Sequence, residues 1–195
     1  MTSHAWTVPV SCCVALLLAT NAQCQTSRAR PGTAASKGTT VGRYVVPDVP
    51  GWTRELIRGD IIASVRFRTQ SDGHRILLKF VFTRAPEGVS PMTPSDYERV
   101  LHASVEMQKR LAPALGETIL RLDLQRTSFR GLPAYVTHRT ILARGQTSRC
   151  RILQFQGGGG NYLVHLTVRG SGKSAVADRT ADRAWRLLTE RLRPT

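Results

Sequence analysis

The chain has 195 residues, 41% of them hydrophobic, and carries 28 Lys and Arg against 13 Asp and Glu, a formal net charge of +15. That length holds one domain with a core large enough to do without disulfides, which excludes a small stapled scaffold. Only Lys37, Lys79, Lys109 and Lys173 are lysines, so the charge is mostly arginine, and it admits a solvated, compositionally biased surface, attraction to an anionic envelope component, or nucleic acid; the few aromatic residues are not interleaved with the arginines as a base-stacking platform requires, so nucleic acid is disfavoured.

In chain order the first element is the apolar run Val8–Ala19, "VPVSCCVALLLA". At about 12 residues it is too short to cross a bilayer as a helix and fits the hydrophobic region of an export signal. Thr20 and Ala22 are spaced for cleavage before Gln23, and Ala22 and Cys24 for cleavage before Gln25. Residues 1–24 are therefore expected to be a signal peptide and the protein to be exported, periplasmic or secreted, with no transmembrane helix. A lipid anchor on Cys24 is disfavoured, because Gln23 stands where lipidation wants a small residue. Residues 1–27 hold no Lys, Arg, Asp or Glu, so the charge survives removal of the leader.

Residues 25–40, "QTSRARPGTAASKGTT", are small and polar and read as a flexible linker. The folded domain is expected over 41–195. "VGRYVVPDVPGW" gives a short strand broken by Pro47 and Pro50, with Trp52 at one edge of the core. "DIIASVRFRT" alternates, with Ile61, Ala63, Val65 and Phe67 on one face. "RILLKFVFT" follows the turn at Ser71–Gly73, with Ile76, Leu78, Phe80 and Phe82 on one face. After the Pro-rich loop "APEGVSPMTP", Ser95 and Glu98 have capping-box spacing and open a helix. Its apolar stripe is Tyr97, Leu101, Val105 and Leu111, and Pro113 with Gly116 ends it.

"TILRLDLQRTSF" places Leu120, Leu122 and Leu124 on one face, and "GLPAYVTHRTIL" is the next strand. "RCRILQFQ" and "NYLVHLTV" flank Gly157–Gly160 as a hairpin. Ala177, Ala181, Trp185, Leu188 and Leu192 form one stripe of a closing helix. Short connections favour antiparallel pairing, and the two helices must cover sheet faces. The expected fold is therefore α+β: an antiparallel sheet covered by two amphipathic helices.

One motif invites a nucleotide. "LTVRGSGKSAV" has strand, glycine turn, Lys173 and Ser174, then helix. A phosphate-binding loop needs a glycine five residues before Gly172, and Thr167 stands there, so the segment reads as a strand-to-helix connection capped by a serine. Among other groups, His138 and His165 could meet across strands with Cys150, which otherwise reads as a small buried side chain. No histidine pair has the spacing of a zinc site, and no nucleophile, base and orienting group assemble. No cofactor and no metal is expected.

The residues "YVVPDVPGW", "SDYERVL", "FRGLPAYVTHRTIL" and "RILQFQGGGGNYLVHLTV", followed by the amphipathic closing helix, together resemble the PsbP-like family from about Val41 to Leu192. That family comprises α/β sandwiches that include extrinsic photosystem subunits, Ran-binding relatives and exported bacterial proteins of the DcrB type. The resemblance implies an accessory or binding protein with no shared catalytic centre. The leading expectation is a non-enzymatic exported protein that binds another protein or an anionic envelope component through its sheet edge or basic surface. The alternatives are a lipid or glycan binder using Arg66, Arg68, Arg121, Arg126 and Arg130, and a hydrolase with an unrecognised site. An electrostatic binder requires those five arginines to share a face.

Overall fold

The computed structural model describes residues 38–88, 90 and 92–195. The leader, Cys24 and most of the linker lie outside the described residues. Ten strands, two helices and one short 3-10 turn are described: β1 Thr39–Val41, β2 Tyr44–Val46, β3 Thr53–Arg58, β4 Ile62–Ser71, β5 His74–Arg84, α1 Pro94–Leu111, the 3-10 turn Pro113–Leu115, β6 Thr118–Phe129, β7 Leu132–Ala143, β8 Gln146–Gly157, β9 Gly160–Gly170, α2 Ala175–Arg191 and β10 Arg193–Pro194. The fold is the α+β sandwich read from the sequence. Seven strands form one antiparallel sheet in the order β3-β4-β5-β9-β8-β7-β6, and β1-β2-β10 form a small second sheet.

Four of the hairpins turn through two residues with positive φ, the second always glycine: Asp72–Gly73, Arg130–Gly131, Arg144–Gly145 and Gly158–Gly159. This turn matches the right-handed twist of the strands, so the meander closes without splaying. In the last of them Gly160 has a separate reason: a Cβ there would lie 2.3 Å from Phe82 Cε2.

Alternation gives the sheet two unlike faces. One carries Val65, Phe67, Ile76, Leu78, Phe80, Phe155, Tyr162, Val164 and Leu166, all buried. It is covered by α2, whose Ala177, Ala181, Trp185 and Leu188 are the stripe read from the sequence. The small sheet closes the same face, and Tyr44 packs edge-on against Phe80, Phe155 and Tyr162. Residue Leu192, past the end of α2, is fully buried there.

The opposite face is covered over only part of its width. Helix α1 buries Tyr97, Leu101 and Val105 over the β6–β7 side, where Tyr97 and Leu101 cluster with Tyr135 and Leu124. Leu111 is 42% exposed, so it is no part of the stripe; the chain bends at Pro113, and Ala112 is buried in its place. The cap of α1 is Thr93 and not Ser95: its Oγ1 accepts from the Asp96 amide at 3.2 Å, and Pro94 opens the helix.

Three further readings are corrected. Ile61 precedes β4 and is 66% exposed. Leu120 is 59% exposed, because a bulge between Ile119 and Arg121 leaves it unpaired and swings Ile119 into the row opposite Ile141. The edge strand β3 was not expected, since "TRELIR" does not alternate cleanly.

Candidate functional site

Where α1 stops covering the sheet, the face is open. There β4, β5, β9, β8 and β7 form the floor of a shallow groove of about 860 Å³. Its lining carries five cationic side chains, Arg68, Arg75, Lys79, Arg139 and Arg169, against one carboxylate, Glu117. No Phe, Tyr or Trp is among the lining residues.

Strand register explains the concentration of charge. One row across the sheet reads Glu55, Arg66, Lys79, His165, and the next reads Thr53, Arg68, Leu77, Thr167, Cys150, Arg139. A third places Gln70, Arg75, Arg169 and Ser148 side by side. Arg66 thus stands directly opposite Lys79, and Arg75 directly opposite Arg169. Like charges in directly opposed positions destabilise a sheet by a few tenths to about 1 kcal/mol each. Two such pairs on one open face are an arrangement that folding alone does not favour.

The floor is polar and partly dehydrated. Burial lowers the pKa of Lys79, and the guanidinium groups of Arg66 and Arg68 lower it further. His165 is pushed down to about 3, by burial first and then by Lys79 and Arg139, so it is neutral. Its Nε2 lies 3.0 Å from Thr167 Oγ1, which in turn lies 3.6 Å from Cys150 Sγ. Arg139 donates to Gln108 Oε1 of α1 at 2.8 Å, tying the helix to the groove wall. The Nε atoms of Arg66 and Arg139 are buried without a hydrogen-bond partner. Arg68 pairs with Glu55 at 2.9 Å, and Arg169 donates to Gln146 at 2.8 Å.

The five arginines named from the sequence do not share one face. Arg66 and Arg68 are together in the groove region. Arg121 lies on the opposite face of edge strand β6 and pairs with Asp123, whose carboxyl is held below its ordinary range chiefly by that guanidinium. Arg126 is at the N-terminal end of α1, 3.8 Å from Glu98. Arg130 sits in the β6–β7 turn and donates to the carbonyls of Thr189 and Glu190 at the end of α2. Arg75, Lys79, Arg139 and Arg169 were missed. Their signal was present as alternation, because Arg75 and Lys79, like His165 and Arg169, lie an even number of residues apart on one strand face.

The pairing of His138 with His165 is corrected as well. His138 lies on the α2 side of the sheet, 3.2 Å from Asp123, and His165 lies on the groove side. Cys150 is 6% exposed. Among the described residues no group of three or more His, Cys, Asp or Glu could hold a metal, and no helix is long and apolar enough to cross a membrane. Ser174 caps α2, accepting from Ala177 N at 3.0 Å, as the capped-connection reading of "GSGKS" requires. A second, smaller crevice of about 270 Å³ lies between Met92, Tyr97, Tyr135 and the Gly158 turn.

No family model matches the chain, and no curated protein matches it. Several solved structures are similar. A protein of unknown function from Pseudomonas aeruginosa, PA94, is 13% identical with a TM-score of 0.48, over 73% of this chain and 97% of its own. LpqN, involved in cell envelope biogenesis of Mycobacterium tuberculosis, is 14% identical with a TM-score of 0.42, over 78% and 83%. The cyanobacterial PsbP of Synechocystis is 13% identical with a TM-score of 0.46, over 87% and 99%. The chain is thus similar to a PsbP, the family that its motif order resembles.

Proposed function

We propose that the protein is an exported, non-enzymatic binding protein that holds an anionic envelope component in the basic groove. The observation that carries this reading is two pairs of opposed cations on one sheet face, Arg66 with Lys79 and Arg75 with Arg169, of which Lys79, Arg75 and Arg169 line the open groove. Low-dielectric walls focus such a field, and an anion that enters relieves the repulsion among the cations. The floor offers donors and a neutral imidazole, and no carboxylate orients that imidazole as a general base would need. Export is supported by the leader-like run Val8–Ala19.

Pairing of another protein with the sheet edge is the weaker reading. Strand β6 carries Arg121, Arg126 and the bulge at Leu120, devices that blunt an edge against added strands.

The test uses inositol hexakisphosphate, a compact polyanion, titrated calorimetrically into the protein at rising salt. Affinity is expected to fall at least tenfold between ~50 and ~200 mM salt. It is also expected to fall at least tenfold in Arg68→Gln/Lys79→Met. Salt-independent binding, or equal binding by the variant, overturns the reading, as does turnover of a hydrolase substrate that a single His165 substitution abolishes.

A further inference from the structure

We propose that the ligand of the groove is a linear phosphate chain lying across the strands, and not the head groups of a bilayer. This rests on the anion-binding reading above and narrows it.

Shape is the first argument. Lys79 is partly buried on the floor, and Arg66, opposite it but outside the lining, is partly buried with its Nε enclosed. A bilayer presents its charges on a plane, and a plane meets the rim cations Arg68, Arg75 and Arg169 without reaching the floor. A flexible chain can descend to both.

Reach is the second. The cations run from Arg68 on β4, through Arg75 and Lys79 on β5 and Arg169 on β9, to Arg139 on β7. Five adjacent strands at about 4.8 Å spacing extend over about 19 Å. One isolated anion neutralises a fraction of that path, whereas a chain with closely spaced charges meets every cation on it.

The lining is the third. The groove has no Phe, Tyr or Trp, and its one ring, the His165 imidazole, is held within the floor beside Thr167, so nucleobases and sugar rings lack a broad surface to stack on. The site is a sheet face, whose backbone groups are already paired, so an extended peptide gains no ladder of hydrogen bonds there. What remains is recognition by guanidinium forks and an ammonium, whose donors fit phosphate oxygens.

The experiment compares orthophosphate, tripolyphosphate and long inorganic polyphosphate as probes of the full chain. Thymidine oligonucleotides of matched charge and vesicles rich in phosphatidylglycerol are the competing ligands. Affinity per chain is expected to rise at least 100-fold from orthophosphate to a chain that spans the groove, and then to level off. Oligonucleotides are expected to bind at least tenfold more weakly, and vesicles not to co-sediment the protein. Two triple variants separate the groove from mere net charge. Arg68→Gln/Arg75→Gln/Arg169→Gln removes three rim cations and is expected to lose at least 30-fold. Arg179→Gln/Arg183→Gln/Arg186→Gln removes three exposed charges from α2 and is expected to stay within about threefold. All six side chains are exposed, so both variants should fold, which their melting curves verify. Equal losses in the two variants overturn the groove reading and this inference together. Vesicle or oligonucleotide binding that matches the long chain, or affinity independent of chain length, overturns this inference and leaves anion binding in place.

Discussion

His165 shows how position on the floor fixes a protonation state. Burial, Lys79 and Arg139 all act against its charged form and bring it to about 3. A base whose pKa is depressed by folding costs nothing above its unfolded value of about 6.5, where both states are neutral. Below that pH the unfolded chain takes up a proton that the folded chain refuses, so stability is lost as pH falls from about 6.5 toward 3. One proton sets a ceiling of about 1.4 kcal/mol per pH unit on that loss. Replacement by glutamine is therefore expected to flatten the decline of melting temperature between pH 6.5 and 4, relative to the parent. In the parent, the ring resonances of His165 should not move from pH 8 to 4.5. A normal titration near pH 6.5 would show that the floor is wetter than the geometry implies.

At the scale of elements, the chain advertises what is periodic and hides what depends on a neighbour. Both helices and all four long hairpin-forming strands after α1 follow from period and turn chemistry. Strand β3 does not, because an edge strand half open to solvent has no strict alternation to display. The bulge in β6 cannot be read from "TILRLDLQ", since its cause is the register with β7. The start of α1 is an instructive miss: "TPSDYE" holds two cap candidates three residues ahead of an acidic side chain, Thr93 with Asp96 and Ser95 with Glu98. Pro94 decides between them, because its fixed φ and missing N–H suit the first helical position. Substituting Thr93 by alanine should thus cost about 1 kcal/mol. The same change at Ser95, already inside the helix, should cost a few tenths or nothing, as chemical denaturation of the two variants would show. Equal costs would move the cap back to Ser95.

At the scale of the molecule, the sheet separates two tasks. The α2 side is closed and aromatic and carries the stability; the other side is half open and keeps cations in an arrangement that costs stability. Sequence alternation made the apolar side legible, because burial selects residue type position by position. It left the groove illegible, since Arg66, Lys79, Arg139 and Arg169 converge only through strand pairings between residues up to about a hundred positions apart. If the division is real, substitutions on the two faces act independently. Leu188→Ala empties a fully buried site under α2, which should cost about 2–5 kcal/mol. That corresponds to a fall of roughly 5–15 °C in melting temperature for a domain of this size. Below the transition the affinity for inositol hexakisphosphate should stay within twofold. Arg68→Gln/Lys79→Met should do the reverse, losing affinity while its melting temperature changes little, because relief of like-charge crowding is offset by loss of the Arg68–Glu55 pair. Combined, the stability changes should add within about 0.5 kcal/mol, since no partner is shared across the sheet. An affinity loss in Leu188→Ala as large as in the groove variant would mean that the two faces are coupled through the strands, and that the groove is held open by the core beneath it.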